Sequence, residues 1–250
     1  AILTGNREWQ ALPAIPGATR PGQIPPPSRL TLFNGSPRGP KGNTPILLEQ
    51  FAAGFRAAHA VDQESTPLLH LNRLSERETH LRAYEAAESV WLGFPLYTDA
   101  MPGIVKSFLD DLEGFKGRPG NPPIGFLVQS GFPEGAHSRF VERYLEKLAD
   151  RLGSPYLGTI VRGGAEGTRL MSDNMNRKLF DGLHGLGAGL AARGCLDPIL
   201  LRQVVGVERY SPLLIPLFKI LARTGLLNFY WDDALKKNNA YERRFARPYA

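Results

Sequence analysis

The residues from Asn34 to Thr44, Asn-Gly-Ser-Pro-Arg-Gly-Pro-Lys-Gly-Asn-Thr, gather the side chains best suited to hold an anion. Ser36 and Thr44 carry hydroxyl donors, and Arg38 and Lys41 carry positive charge. The apolar run Leu30 to Phe33 just before them has strand length. The Gly, Pro and Ser residues up to Gly42 break regular structure. Asn43 and Thr44 are of the types that cap a helix, and Pro45 suits a first turn, where a backbone N–H has no partner anyway. A helix start presents free N–H groups and the positive end of the helix dipole, so this strand–loop–helix unit reads as a phosphate cradle. An ordinary surface loop has the same composition. Neither common nucleotide fingerprint is present. Gly42 is followed by Asn43 instead of a Lys-Ser/Thr pair, and the glycines lack the spacing of the dinucleotide turn.

Two further loops carry groups that suit a flat, polar-edged ligand. Phe94-Pro95-Leu96-Tyr97-Thr98-Asp99-Ala100-Met101-Pro102-Gly103 offers an aromatic ring beside small polar residues. Ser130-Gly131-Phe132-Pro133-Glu134-Gly135-Ala136-His137 offers a second ring at Phe132. Its glycines let the backbone approach a ligand closely.

The elements that must position these loops follow from periodicity. Leu30–Phe33, Pro67–Leu71, Ser89–Phe94, Pro123–Gln129 and Tyr156–Val161 read as strands. They alternate with helical patterns over 46–58, 75–87, 101–112, 136–152 and 174–192. In the helix over 136–152, Phe140, Val141, Tyr144, Leu145 and Leu148 are expected to face inward. Five strands alternating with five helices predict a doubly wound α/β fold: a five-stranded parallel sheet with helices on both faces. Ligands of such sheets sit at the carboxyl ends of the strands, where strand order reverses. That rule selects the loops after the first, third and fourth strands.

Composition bounds the chemistry. The 250 residues suit one domain with appendages: a Pro-rich N-terminal arm over 1–28, a body over 29–195 and a C-terminal helical extension over 196–250. The net charge of +6 favours anionic partners, but Lys and Arg are spread along the chain without a nucleic-acid motif, so no nucleic-acid partner is expected. Cys195 is the only cysteine, which rules out an internal disulfide and a cysteine-held cluster or zinc; a small buried or half-buried residue is expected there. The five histidines have no metal-ligand spacing, and no metal is expected. With no leader pattern and no apolar run long enough to span a bilayer, the expected location is cytoplasmic.

Asn34-Gly35-Ser36-Pro37-Arg38 with Gly42-Asn43-Thr44 resembles the phosphate loop of flavodoxin-like NAD(P)H-dependent FMN reductases. Gly93-Phe94-Pro95-Leu96-Tyr97 through Met101-Pro102-Gly103 to Lys106, Phe108, Leu109 and Asp110 resembles their second flavin loop and the helix after it. The resemblance covers roughly residues 29 to 195. It implies that Ser36, Arg38, Asn43 and Thr44 hold the FMN phosphate, and that Pro95, Leu96, Tyr97 and Thr98 lie along the ring and ribityl chain. Ser130, Gly131 and Phe132 would then close the other side. It also implies a nicotinamide donor, NADPH or NADH, a small-molecule acceptor such as a quinone or flavin, and a homodimer. The redox chemistry would belong to the cofactor, so no catalytic acid or base is named. A flavodoxin-type electron carrier remains an alternative, although such carriers are typically acidic and this chain is basic. A non-catalytic phosphate-binding module is the other.

Several residues have two readings. His137 at a helix start suits solvent better than a ligand, and Asp110 and Asp111 suit a charged helix end or a subunit contact. Glu166 either shapes the substrate mouth or belongs to an ordinary surface loop. Beyond Asp197, Ser211 to Leu227 is apolar with Pro212, Pro216, Lys219 and Arg223 inserted. Packing within the protein is its expected role; packing on a partner subunit, covering the ligand site and lying on a membrane surface are the alternatives.

Overall fold

The computed structural model describes residues 24–224 and 228–247. The expected arm over 1–28 therefore falls largely outside the described residues. The described part of the chain divides into two units, one ending at Arg209 and one starting at Tyr210, each taken by itself below.

The larger unit is the expected α/β sandwich. Its strands are β1 (Thr31–Asn34), β2 (Leu68–His70), β3 (Val90–Pro95), β4 (Ile124–Gln129) and β5 (Tyr156–Arg162). They form one parallel sheet in the order β2-β1-β3-β4-β5. The helices between them are α1 (Asn43–His59), α2 (Arg77–Glu85), α3 (Gly103–Asp111) and α4 (Arg139–Leu152), followed by α5 (Asp173–Arg193) and α6 (Pro198–Val205). The chain leaves β1 for β2 on one side and returns to β3 on the other. The switch point therefore lies between β1 and β3.

Alternation along the strands sends side chains to two cores. Leu32, Trp91, Leu127 and Ile160 pack under α1, α5 and α6. Phe33, Leu92, Phe94, Phe126 and Val128 pack under α2, α3 and α4. Every residue of β3 and β4 is buried, which is why both read as continuous apolar runs.

Helix α1 crosses α5 at backbone contact. A Cβ on Gly54 would stand 1.9 Å from the His184 carbonyl oxygen, and one on Gly187 would stand 1.9 Å from that of Phe51. The glycines that weaken the local helical pattern of α5 thus have a packing role.

Three local expectations are corrected. Asn43 and Thr44 do not cap α1: Gly42 occupies the cap position, with no side-chain cap, and Asn43 and Thr44 are the first helical residues. The pattern over 136–152 splits into a 3-10 turn at Gly135–Ser138 and then α4. On α4 the buried stripe is Val141, Leu145, Ala149 and Leu152, so Phe140 and Tyr144, one position off it, are exposed. Helix α6, not foreseen, begins with the side chain of Asp197 accepting the Ile199 and Leu200 N–H groups at 2.8 and 3.3 Å, with Pro198 in its first turn. Cys195 is free and half-buried.

Residues 24–28 lie along this unit. Ile24 packs on the α1–α5 core, the Pro27 carbonyl is 2.9 Å from His59 Nε2, and Ser28 donates to Glu88. The smaller unit contains α7 (Ile215–Arg223) and α8 (Phe229–Lys237). Among the described residues no helix is long and apolar enough to cross a membrane.

Candidate functional site

At the carboxyl ends of β1, β3 and β4 lies a cleft of about 180 Å³. It is lined by Ser36, Arg38, Gly42 and Asn43 from the first loop, Pro95, Leu96 and Tyr97 from the second, and Gln129, Ser130 and Gly131 from the third. Glu166 closes it from the β5–α5 connection.

The first loop is held open by one side chain. Asn34, fully buried at the end of β1, accepts the Ser36 N–H on Oδ1 at 3.0 Å. That fixes its amide orientation. Its Nδ2 then donates to the Gly39 carbonyl at 3.0 Å and to His70 Nδ1 at 2.9 Å. His70 must therefore be unprotonated on Nδ1, and burial, helped by nearby Arg73, pushes its pKa below the ordinary value.

Ser36 lines the cleft, and its hydroxyl has no hydrogen-bond partner among the described residues. A Cβ on Gly42 would stand 2.5 Å from Ser36 Oγ, so only glycine leaves room there. With no side-chain cap, the first N–H groups of α1 remain for an external acceptor. An orphan hydroxyl, an uncapped helix start and a glycine-sized gap fit a phosphate.

Thr44 lies outside the cleft lining. It is fully buried, and its Oγ1 accepts from Gln129 Nε2 at 3.3 Å, tying α1 to the end of β4. Asn43 lines the cleft, but its Nδ2 donates to the Ala165 and Glu166 carbonyls at 2.8 and 3.3 Å. The β5–α5 connection is further joined to the first loop by Arg169 donating to the Lys41 carbonyl. It is joined to the third loop by the Ala165 and Gly164 N–H groups donating to Ser130 and Phe132 carbonyls at 2.8 and 2.6 Å. Glu166 Oε1 stands 3.6 Å from Arg38 Nη1, so a carboxylate sits across the mouth from the guanidinium.

The second loop makes a tight reversal. Tyr97 and Ala100 exchange backbone hydrogen bonds of 3.1 and 3.3 Å, and Thr98 takes φ +57° at the corner. A β-branched residue rarely adopts that conformation. The turn holds the exposed Tyr97 ring at the cleft, whereas Thr98 lies outside the lining. Phe132 is also exposed and outside the lining; its ring stacks on His137 at 4.7 Å and 29°. His137 is thus an aromatic support for the third loop, with Glu134 Oε2 at 3.5 Å from its Nε2.

The enclosed volume is smaller than the ~300–1,000 Å³ of pockets that bury a whole cofactor-sized ligand. It suits the phosphate and sugar-like chain of a mononucleotide, with a flat ring resting outside against Tyr97. Gln129 joins the lining without any motif in the sequence to mark it. Gln129 ends an otherwise apolar strand, which is the one local signal of its place.

Arg162, the last residue of β5, is outside the cleft lining. Its Nη1 donates to the Val204 carbonyl at 3.1 Å at the end of α6, and burial lowers its pKa. The carboxyl end of a helix dipole is a favourable place for a cation.

No family model and no curated protein matches this chain. Solved structures do. An NADH:FMN oxidoreductase (EMOB) in its apo form aligns with a TM-score of 0.50 and 16% identity over 75% of this chain and 99% of that one. An NAD(P)H:quinone oxidoreductase from Methanothermobacter marburgensis aligns with a TM-score of 0.51 and 15% identity over 65% of this chain and 97% of that one. At these identities the likeness extends to the fold, and together with the strand order it makes this chain a flavodoxin-like α/β protein.

Proposed function

We propose that the chain is an FMN-dependent NAD(P)H oxidoreductase that binds FMN in the cleft between the loops after β1, β3 and β4. The observation that carries this reading is Ser36, which lines the cleft beside the uncapped start of α1 at the switch point of the sheet, with no hydrogen-bond partner for its hydroxyl among the described residues. The fold shared with two solved oxidoreductases supports it as a likeness of architecture.

In this reading Ser36 donates to the phosphate, and the N–H groups of Asn43 and Thr44 point their dipoles at it. Arg38 turns from Glu166 toward the added negative charge. Asn34 keeps the loop in its receiving shape, and Thr44 and Gln129 fix α1 to the sheet. Pro95 and Leu96 exclude water from one side of the cleft, and Tyr97 offers its face to the ring. Ser130 and Gly131 bring backbone groups to the opposite side. Bound there, FMN would supply the redox chemistry: hydride acceptance at N5 from NADH or NADPH and delivery of electrons to a small acceptor such as a quinone or a flavin.

The test is optical. Addition of FMN to the purified protein is expected to give a bound yellow chromophore with a perturbed visible spectrum. Anaerobic NADH or NADPH is then expected to bleach it at a rate above that of free FMN. No spectral change on adding FMN overturns the flavin site. Binding without accelerated bleaching leaves an electron carrier and overturns the reductase.

A further inference from the structure

Residues 210–247 contain two short helices whose surface chemistry is unusual. Large apolar side chains lie open to solvent: Leu213 at 85%, Phe245 at 83%, Trp231 at 66% and Ile220 at 59% exposure. Single exposed apolar residues are normal, but four within one small unit call for a partner.

The charges around them are mostly of one sign. From residue 210 onward seven Lys and Arg face three Asp and Glu, so this segment holds four of the chain's six surplus positive charges. Lys219, Arg223, Lys236, Arg243 and Arg244 are all exposed. One of the three carboxylates, Asp233, is engaged by Lys237 at 2.7 Å. Cations also lie against rings: Arg244 is 3.9 Å from the Tyr241 centroid and 4.9 Å from that of Phe245. A second copy of the same unit would bring like charge against like charge. A surface of closely spaced phosphates would be attracted.

Length decides the orientation. Helix α7, Ile215–Arg223, has nine residues. At 1.5 Å per residue it is about 14 Å long, half the ~30 Å of a bilayer core. It cannot cross, but a short helix bearing apolar and cationic side chains can lie in the interface. Trp is the residue most at home there.

We propose that residues 210–247 dock the protein on the surface of an anionic phospholipid bilayer. Leu213, Ile220, Trp231 and Phe245 enter the boundary between headgroups and acyl chains. Lys219, Arg223, Arg243 and Arg244 bind lipid phosphates. The proposal uses no residue of the cleft and stands or falls independently of the flavin reading.

The experiment is sedimentation of the full chain with phosphatidylcholine vesicles, with and without phosphatidylglycerol, at low and high salt. Binding to the anionic vesicles is expected to be about tenfold or more stronger and to weaken with salt. The Lys219→Glu, Arg223→Glu double variant is expected to lose about tenfold or more of that affinity. The Leu213→Ser, Trp231→Ser double variant is expected to lose a similar factor while keeping its far-ultraviolet circular dichroism. Unchanged binding in both variants, equal binding to the two vesicle types, or no binding at low salt overturns the proposal. So does an intact chain that forms a dimer dissociated by the apolar variant without ever binding vesicles.

Discussion

The two ends of the cleft are built on different principles. At the end proposed for the phosphate the groups are buried and tied to other segments of the chain: Asn34 to His70, Asn43 to Ala165, and Thr44 to Gln129. At the ring end Tyr97 stands exposed on a four-residue reversal whose corner, Thr98, has φ +57°. The first end is pre-organised, so ligand binding there loses little conformational freedom. The second is a surface on which different flat molecules can rest. On the proposed flavin reading, this contrast would put recognition of the anion in the fold and tolerance toward the ring in a loop.

The sharpest way to break this contrast is at Gly42. Gly42→Ala drives a methyl group toward Ser36 Oγ and is expected to weaken FMN binding about a hundredfold, the effect of losing two hydrogen bonds to a charged group at ~1.5 kcal/mol each. Riboflavin, which lacks the phosphate, should bind the variant and the parent alike by fluorescence titration. Ser36→Ala removes one such bond, and about a tenfold loss in the same titration is expected. Tyr97→Ala should cost only about three- to tenfold, equally for FMN and riboflavin, because a ring contact is worth ~0.5–1.5 kcal/mol beyond its area. If Tyr97→Ala costs more than Gly42→Ala, the assignment of the two ends is reversed.

A smaller effect comes from pH. Asn34 can donate to His70 only while Nδ1 of the imidazole is unprotonated, and burial has lowered that residue's pKa below 6.5. A group whose folded pKa is depressed contributes order that is complete above the unfolded value and is lost as pH falls through the folded one. Phosphate affinity should therefore decline below about pH 6.5. The phosphate monoester itself titrates near pH ~6, so the parent must be compared with His70→Gln. The variant is expected to retain only the ligand's own pH dependence. Identical profiles would separate His70 from the loop.

Much of this architecture was legible because its causes are local. β3 and β4 read as strands because every residue is buried, and the alternation of strands with amphipathic helices left few arrangements of the sheet. Ser36, Arg38 and Asn43 line one cleft because they belong to one continuous stretch. What could not be read depends on residues far apart in sequence. Asn43 was expected to cap its own helix, yet its amide is satisfied 122 residues away at Ala165. Glu166 fits an isolated surface loop equally well until Ala165 is seen bonded to Ser130. Helix α6 is a different case: Asp197-Pro198 is a local start signal, and the helix it opens belongs to the larger unit and not to the segment from Tyr210 onward.

The backbone contact at Gly54 and Gly187 has a mechanical consequence. Where two helices touch through their main chains, no side chain can yield between them, so α1 has neither a roll nor a slide available without lifting α5 from the sheet. The amides at its start are thereby denied a soft coordinate. Native-state hydrogen exchange is expected to find the middle of α1 among the slowest amides of the larger unit and Tyr97–Ala100 among the fastest. Adjustment to different ring systems would then fall to the Tyr97 reversal, while the anion would meet a part of the molecule as unyielding as its core.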